Sequence, residues 1–214
     1  MRCMTWVVPM AIAAGIAVLD WWAVGTDRRS IERWAKPAVM VFLIAAAVLI
    51  PADSDSIRWW IVIGLAFGLV GDVLLFQDRF IPGAAAFLIG HLAYVVALLL
   101  VPQEPRGLLV GAVIVVLVAI IVGRKIVAGA WSRSPRLGAI VATYMAVIGL
   151  VMILAVGSTS IVVEIAALLF LTSDALLAWA RFVGWTPGGR VAVMVTYQLA
   201  QAGFVLAIPT LVIA

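Results

Sequence analysis

Apolar residues in this chain do not alternate with polar ones. They continue almost uninterrupted for 14 to 23 residues and stop at short clusters of charge, proline and glycine. A hydrocarbon layer of about 30 Å takes about 20 helical residues to cross. Cutting at the clusters gives eight spans, at 6–24, 37–50, 59–76, 83–101, 107–123, 137–156, 160–180 and 191–213. The second is short and extends back toward Trp34. The turns between them are brief, so neighbouring helices run antiparallel. The pattern predicts an all-α, polytopic membrane protein, with about eight transmembrane helices in one bundle. It forms a single transmembrane domain over residues 1–214, and no loop is long enough for a second one.

Composition agrees. Hydrophobic residues make up 66% of the 214 and charged residues 11%, against roughly a quarter charged in a soluble domain. The net charge is +4, but the basic residues sit in the turns. They read as topology signals and headgroup contacts, not as a nucleic-acid surface. One end of the bundle, with the N-terminus, carries Arg2, Arg58 and Arg106, and the other carries eleven basic residues. The positive-inside rule makes the basic end cytoplasmic in a multi-pass cell-membrane protein and leaves both termini outside. The run from Trp6 to Val24 contains Asp20 and is long for a leader, so it reads as a first span. A lone cysteine, Cys3, allows no intrachain disulfide, and a lone histidine, His91, cannot build a multi-imidazole zinc site. No cofactor or metal is expected.

Ionisable groups inside a span are costly and face the bundle interior or a wet cavity. The spans contain Asp20, Asp72, His91, Glu164 and Asp174. Asp20 lies beside Trp21 and Trp22 and reads as interfacial, while Glu164 reads as a solvated helix start. Asp72 and Asp174 lie roughly 6–9 Å below the basic end, at about 1.5 Å per residue. His91, Tyr94, Tyr144, Tyr197, Gln198 and Gln201 fall in the same half of their own helices. Asp72 continues a stripe of Gly64 and Gly68 at spacings of four, which turns it toward another helix. Its expected partner is His91, or Asp174 sharing a proton. Two carboxyls in a medium of low dielectric do not both stay ionised. One then serves as a neutral acid and the other as an anion, an arrangement for general acid and base work. A lipid arriving sideways would set its headgroup near Lys36, Arg79 and Arg181.

The motif D-x-L-L-x-x-x-R-F occurs from Asp72 and again from Asp174, four helices later. It marks residues 1–104 and 105–214 as candidate four-helix repeats of the same orientation.

These residues resemble the YhhN family of multispanning membrane proteins, which includes the animal lysoplasmalogenases. The resemblance is carried by Ala35-Lys36-Pro37, Gly71-Asp72-Val73-Leu74-Leu75 and the segment from Phe87 to Gly90-His91-Leu92-Ala93-Tyr94. It continues through Tyr144-Met145, Leu169 to Thr172-Ser173-Asp174, and Tyr197-Gln198-Leu199-Ala200-Gln201. Where the family has a longer polar tail after the last helix, this chain stays apolar to Ala214. The resemblance implies a lysophospholipid substrate and hydrolysis of the vinyl ether bond of lysoplasmalogens to fatty aldehyde and a glycerophospho-alcohol. Asp72 and Asp174 would be the catalytic carboxyls, and His91 would orient one of them or relay a proton. Lys36, Tyr94, Tyr144, Tyr197, Gln198 and Gln201 would bind substrate, with Tyr197 and Gln201 placing water or the glycerol backbone.

Two other readings use the same residues. Buried carboxylates and internal repeats also suit a proton-coupled transporter or lipid-binding membrane protein. Asp72, His91 and Asp174 would also suit a divalent ion.

Overall fold

The structure is a computed structural model and describes residues 4–184 and 189–213. Arg2 and Cys3 lie outside them. Among the described residues the regular structure is entirely helical. The helices are α1 (Val7–Gly25), α2 (Arg29–Leu49), α3 (Asp55–Phe76), α4 (Phe80–Leu99), α5 (Pro105–Trp131), α6 (Pro135–Gly157), α7 (Ile161–Phe182) and α8 (Gly189–Ala207). In lipid each backbone N–H and C=O must bond within its own segment, which is why long apolar runs become helices.

Seven of the eight are long and apolar enough to cross a membrane; α2 is not among them. It begins at Arg29, eight residues before the expected start at 37, so its first turns carry Arg29, Glu32, Arg33 and Lys36. Pro37, where the apolar pattern begins, sits inside this helix. Likewise α5 extends to Trp131, well past the expected end at 123, through a π-helical turn at Ala119–Gly123.

Local chemistry sets several helix starts. Ser54, Glu104 and Ser134 accept hydrogen bonds from the N–H groups of Ile57, Gly107 and Leu137, with Pro105 and Pro135 opening the helices they precede. The α1–α2, α3–α4 and α6–α7 turns pass through left-handed residues at Asp27, Asp78 and Thr159.

Glycine decides how closely α3 and α4 approach. A Cβ at Gly64 would run into the Tyr94 ring, and one at Gly71 into Phe87. One at Gly68 would crowd Gln201 and the Tyr197 hydroxyl from α8. The Gly64–Gly68 stripe thus faces α4 and α8 and turns Asp72 inward, where its side chain is 1% exposed. Exposed Leu, Ile, Val and Trp residues cover the outside of the bundle, with Leu109, Ile121 and Ile161 each more than 60% exposed. Lipid is the solvent for such a surface.

Candidate active site

Asp72 and Asp174 are each held by two other helices. On α3, Asp72 Oδ1 lies 3.0 Å from Lys36 Nζ of α2, and Oδ2 accepts the Tyr197 hydroxyl of α8 at 2.8 Å. On α7, Asp174 Oδ2 accepts the Tyr144 hydroxyl of α6 at 2.8 Å and lies 3.6 Å from His91 Nε2 of α4. The expected partners of Asp72, His91 or Asp174, are therefore corrected: its partners are a lysine and a phenol. Lys36 was expected beside a lipid headgroup. Its ammonium reaches the buried carboxylate because α2 starts early enough to carry it into the bundle.

The two environments differ in charge. Asp72 and Lys36 form a buried ion pair, with side chains 1% and 10% exposed. Asp174 has no cation within ion-pair distance among the described residues apart from the imidazole, which is charged only when protonated. His91 Nδ1 bonds to the Phe87 carbonyl at 2.7 Å. A carbonyl only accepts, so Nδ1 carries a proton, and Nε2, whose lone pair is free when the ring is neutral, faces Asp174.

The remaining predicted residues lie close by. The Tyr94 hydroxyl donates to Gln201 Oε1, and its ring stacks on Phe204 at 4.2 Å. Gln198 Nε2 donates to Asp20 Oδ2 at 2.7 Å. Asp20 is fully buried, which corrects its reading as interfacial: α1 turns it onto α8, away from the headgroups. With α7 continuing to Phe182, Asp174 is about 12 Å from that helix end, deeper than expected. Among the described residues no three His, Cys, Asp or Glu side chains converge as metal ligands, so Asp72, His91 and Asp174 do not form the divalent-ion cluster considered above.

Phe170 lies in the segment that carries the family resemblance but is not among the expected site residues. Its ring lies 4.5 Å from His91, 5.8 Å from Tyr197 and 6.2 Å from Tyr94, joining the two aspartate environments. Its spacing of four from Asp174 was the available signal. Several buried polar atoms here have no hydrogen-bond partner among the described residues, Asp72 Oδ1, His91 Nε2 and Gln201 Nε2 included. For Asp72 Oδ1 the Lys36 contact is short but not aligned as a hydrogen bond. Such atoms mark where a ligand or water has bonds to offer.

Among the described residues, three of the cavities around these groups adjoin one another through shared lining residues. A cleft of about 670 Å³ at the basic end is lined by Arg29, Glu32, Arg33, Lys36 and Arg190 together with Leu75 and Leu177. A narrow apolar pocket of about 70 Å³ shares Leu75 and Leu177 with it, and holds Asp174 and Tyr144 among Phe80, Phe87, Ile126 and Phe182. A groove of about 360 Å³ between α5 and α7 shares Val118, Leu171 and Ala175 with that pocket. Asp174 and Tyr144 thus lie on the wall of an apolar pocket, with the basic cleft at one end and a groove between helices beside it.

Comparison with known proteins fits this geometry. The chain is 28% identical to rat (Rattus norvegicus) lysoplasmalogenase TMEM86B over 92% of its length and 80% of the relative's. It is 28% identical to the human (Homo sapiens) protein of that name over 92% and 83%. The pig (Sus scrofa) protein is 35% identical over 62% of this chain and 55% of its own. No solved structure matches this chain. A model of the YhhN family matches residues 31–208, a stretch that includes both aspartates and all their partners, and the chain belongs to that family.

Proposed function

We propose that this protein is a membrane-embedded hydrolase that cleaves the vinyl ether bond of lysoplasmalogen-type lysophospholipids, giving a fatty aldehyde and a glycerophospho-alcohol. One observation carries the reading. Asp174 sits on the wall of an apolar pocket between Tyr144 and His91, with no permanent cation within ion-pair distance among the described residues. The lysoplasmalogenase relatives support the same chemistry.

A vinyl ether is an electron-rich alkene, and its hydrolysis begins with protonation of the β-carbon. Asp174 is the acid. Transfer of its proton gives an oxocarbenium ion, which the new Asp174 carboxylate stabilises. Water adds to the cationic carbon and returns a proton to Asp174 or to His91 Nε2, forming a hemiacetal. The hemiacetal collapses as its hydroxyl loses a proton and the departing glycerol oxygen gains one. Overall one water is consumed, the carbon–oxygen bond breaks, and the enzyme recovers its protons. The pattern parallels glycoside hydrolysis, where paired carboxyls serve an oxocarbenium-like transition state.

Asp72 is the second carboxylate, held as the anion by Lys36 and Tyr197. Tyr197 and Gln201 place the attacking water. Tyr94 and Gln198 spend their polar groups on Gln201 and Asp20 and hold the polar layer in position. The alkenyl carbons lie in the narrow pocket, and the rest of the tail leaves along the α5–α7 groove toward lipid.

The repeat reading has structural support. Asp72 takes its partners from the preceding helix of its own half and the last helix of the other, α2 and α8. Asp174 takes its partners from α6 and α4, the corresponding pair. We read the basic end as cytoplasmic in the cell membrane, with both termini outside.

Product analysis with purified protein and a defined lysoplasmalogen tests the function. Wild type is expected to release aldehyde. Asp174→Asn, folded and unchanged in thermal stability, is expected to lose at least about a hundredfold in rate, as for loss of a general acid. Full activity in that variant would overturn the mechanism, and no aldehyde from intact wild type would overturn the function.

A further inference from the structure

Two sets of cations at the basic end differ in what they meet. Three of the four cations that line the large cleft, all but Arg33, are already paired. Lys36 meets Asp72, Arg190 bridges Asp27 and Glu32 at 2.8 Å each, and Arg29 lies 3.9 Å from Asp27. Beside the apolar pocket and the α5–α7 groove, three others are not. Lys125, Arg133 and Arg181 come from α5, the α5–α6 turn and α7, and none has a carboxylate within 4.0 Å among the described residues.

These three are nonetheless placed. Arg181 lies over the Phe80 ring at 5.0 Å, Arg133 over Phe182 at 5.2 Å and Lys125 over Trp179 at 5.5 Å. Phe80 and Phe182 pack edge to face at 6.0 Å and line the apolar pocket. Arg133 Nη2 donates to the Arg181 carbonyl at 2.7 Å, which joins the two arginines and leaves four guanidinium N–H donors free of that bond. Gly129 lets the end of α5 close on α7, because a Cβ there would strike the Phe182 carbonyl.

We propose that Arg181, Arg133 and Lys125 form a binding rim for the phosphodiester of a single-chain phospholipid whose alkenyl carbons enter the apolar pocket. The proposal rests on the hydrolase reading for the identity of the lipid. Spacing supports it. Asp174 and Arg181 are seven residues apart on one helix, a rise of about 10 Å. In a lysoplasmalogen the vinyl ether β-carbon and the phosphorus are separated by seven bonds, roughly 9 Å when extended at bond lengths near 1.5 Å. A headgroup on the rim therefore sets the reacting carbon at the depth of Asp174. A topology signal needs only the charges; it needs neither the aromatic seats nor this register.

The test compares wild type, Arg181→Gln and the double variant Arg133→Gln/Arg181→Gln in neutral detergent. The substrates are alkenyl-glycerophosphoethanolamine and the phosphate-free alkenylglycerol. The expected result is a drop of about tenfold in the kcat/KM preference for the phospholipid, carried by KM and partly restored by Arg181→Lys. An unchanged preference would overturn the rim. A non-cleavable saturated-ether lysophospholipid, titrated by tryptophan fluorescence, separates this from the function. Its affinity is expected to fall about tenfold in the double variant whether or not wild type releases aldehyde, and equal affinities would overturn the proposal. Arginine-dependent binding without any aldehyde would leave the rim standing and remove the hydrolase reading. Displacement of the lipid probe by millimolar inorganic phosphate alone would overturn the commitment to a lipid phosphodiester.

Discussion

Asp72 and Asp174 share a motif but not a setting, and substitutions at the two should fail differently. Removing either member of the Asp72–Lys36 pair leaves an uncompensated buried charge, which costs about 3–5 kcal/mol, whereas replacing both with neutral groups is far less damaging. Asp72→Asn and Lys36→Met alone are therefore expected to lower the unfolding midpoint markedly in detergent. The Lys36→Met/Asp72→Asn double variant should recover most of the loss. If the double variant were as unstable as the sum of the singles, the pair would not be the source of the cost. Asp174 has only hydrogen-bonding neighbours, so Asp174→Asn should affect chemistry far more than stability. An inactive Asp72→Asn is thus weaker proof of catalysis than an inactive Asp174→Asn.

At the scale of elements, the glycine face of α3 sets the geometry of the polar layer. Tyr94 sits where a Gly64 side chain would be, and its hydroxyl meets Gln201 across the bundle. Gly64→Ala must push that ring, at a cost of about 1–3 kcal/mol for an overpacked core. Gly15 on α1 has open space around its missing Cβ, so Gly15→Ala is expected to be neutral or slightly stabilising. Thermal unfolding of the two variants side by side checks this, and equal midpoints would mean that α3 and α4 are less closely seated. The glycine stripe was legible in the sequence and pointed Asp72 inward. The rings that fill it were not, because an aromatic residue in an apolar run gives no sign of which helix it will meet.

At the scale of the molecule, Arg190 ties the turn before α2 to the start of α8 by bonding both Asp27 and Glu32. The hydrogen bond and charge of Arg190 hold the Asp27 carboxyl below its ordinary range. A lowered carboxylate pKa contributes stability that is present above the unfolded value and lost as pH falls through the folded one. The stability difference between wild type and Arg190→Gln is therefore expected near pH 7 and should shrink below about pH 4. Asp27 is exposed, so the difference should be small and should also shrink in high salt. A difference independent of both would assign it to packing instead.

The eight helices and the candidate polar residues within them, Asp72, His91 and Asp174 among these, were legible in the sequence. A hydrocarbon solvent permits only internally bonded segments and makes each intramembrane charge conspicuous. Pairing was decided by the tertiary structure. Lys36 and Asp72 are 36 residues apart, Tyr197 and Asp72 are 125 apart, and Asp174 takes its bond from Tyr144, 30 residues back. Leucine is equally at home against lipid and against protein, so an all-round apolar helix does not encode which face turns inward. Only the packing of the other helices sets that rotation, and with it which carboxyl meets a lysine and which is left beside an imidazole on the wall of an apolar pocket.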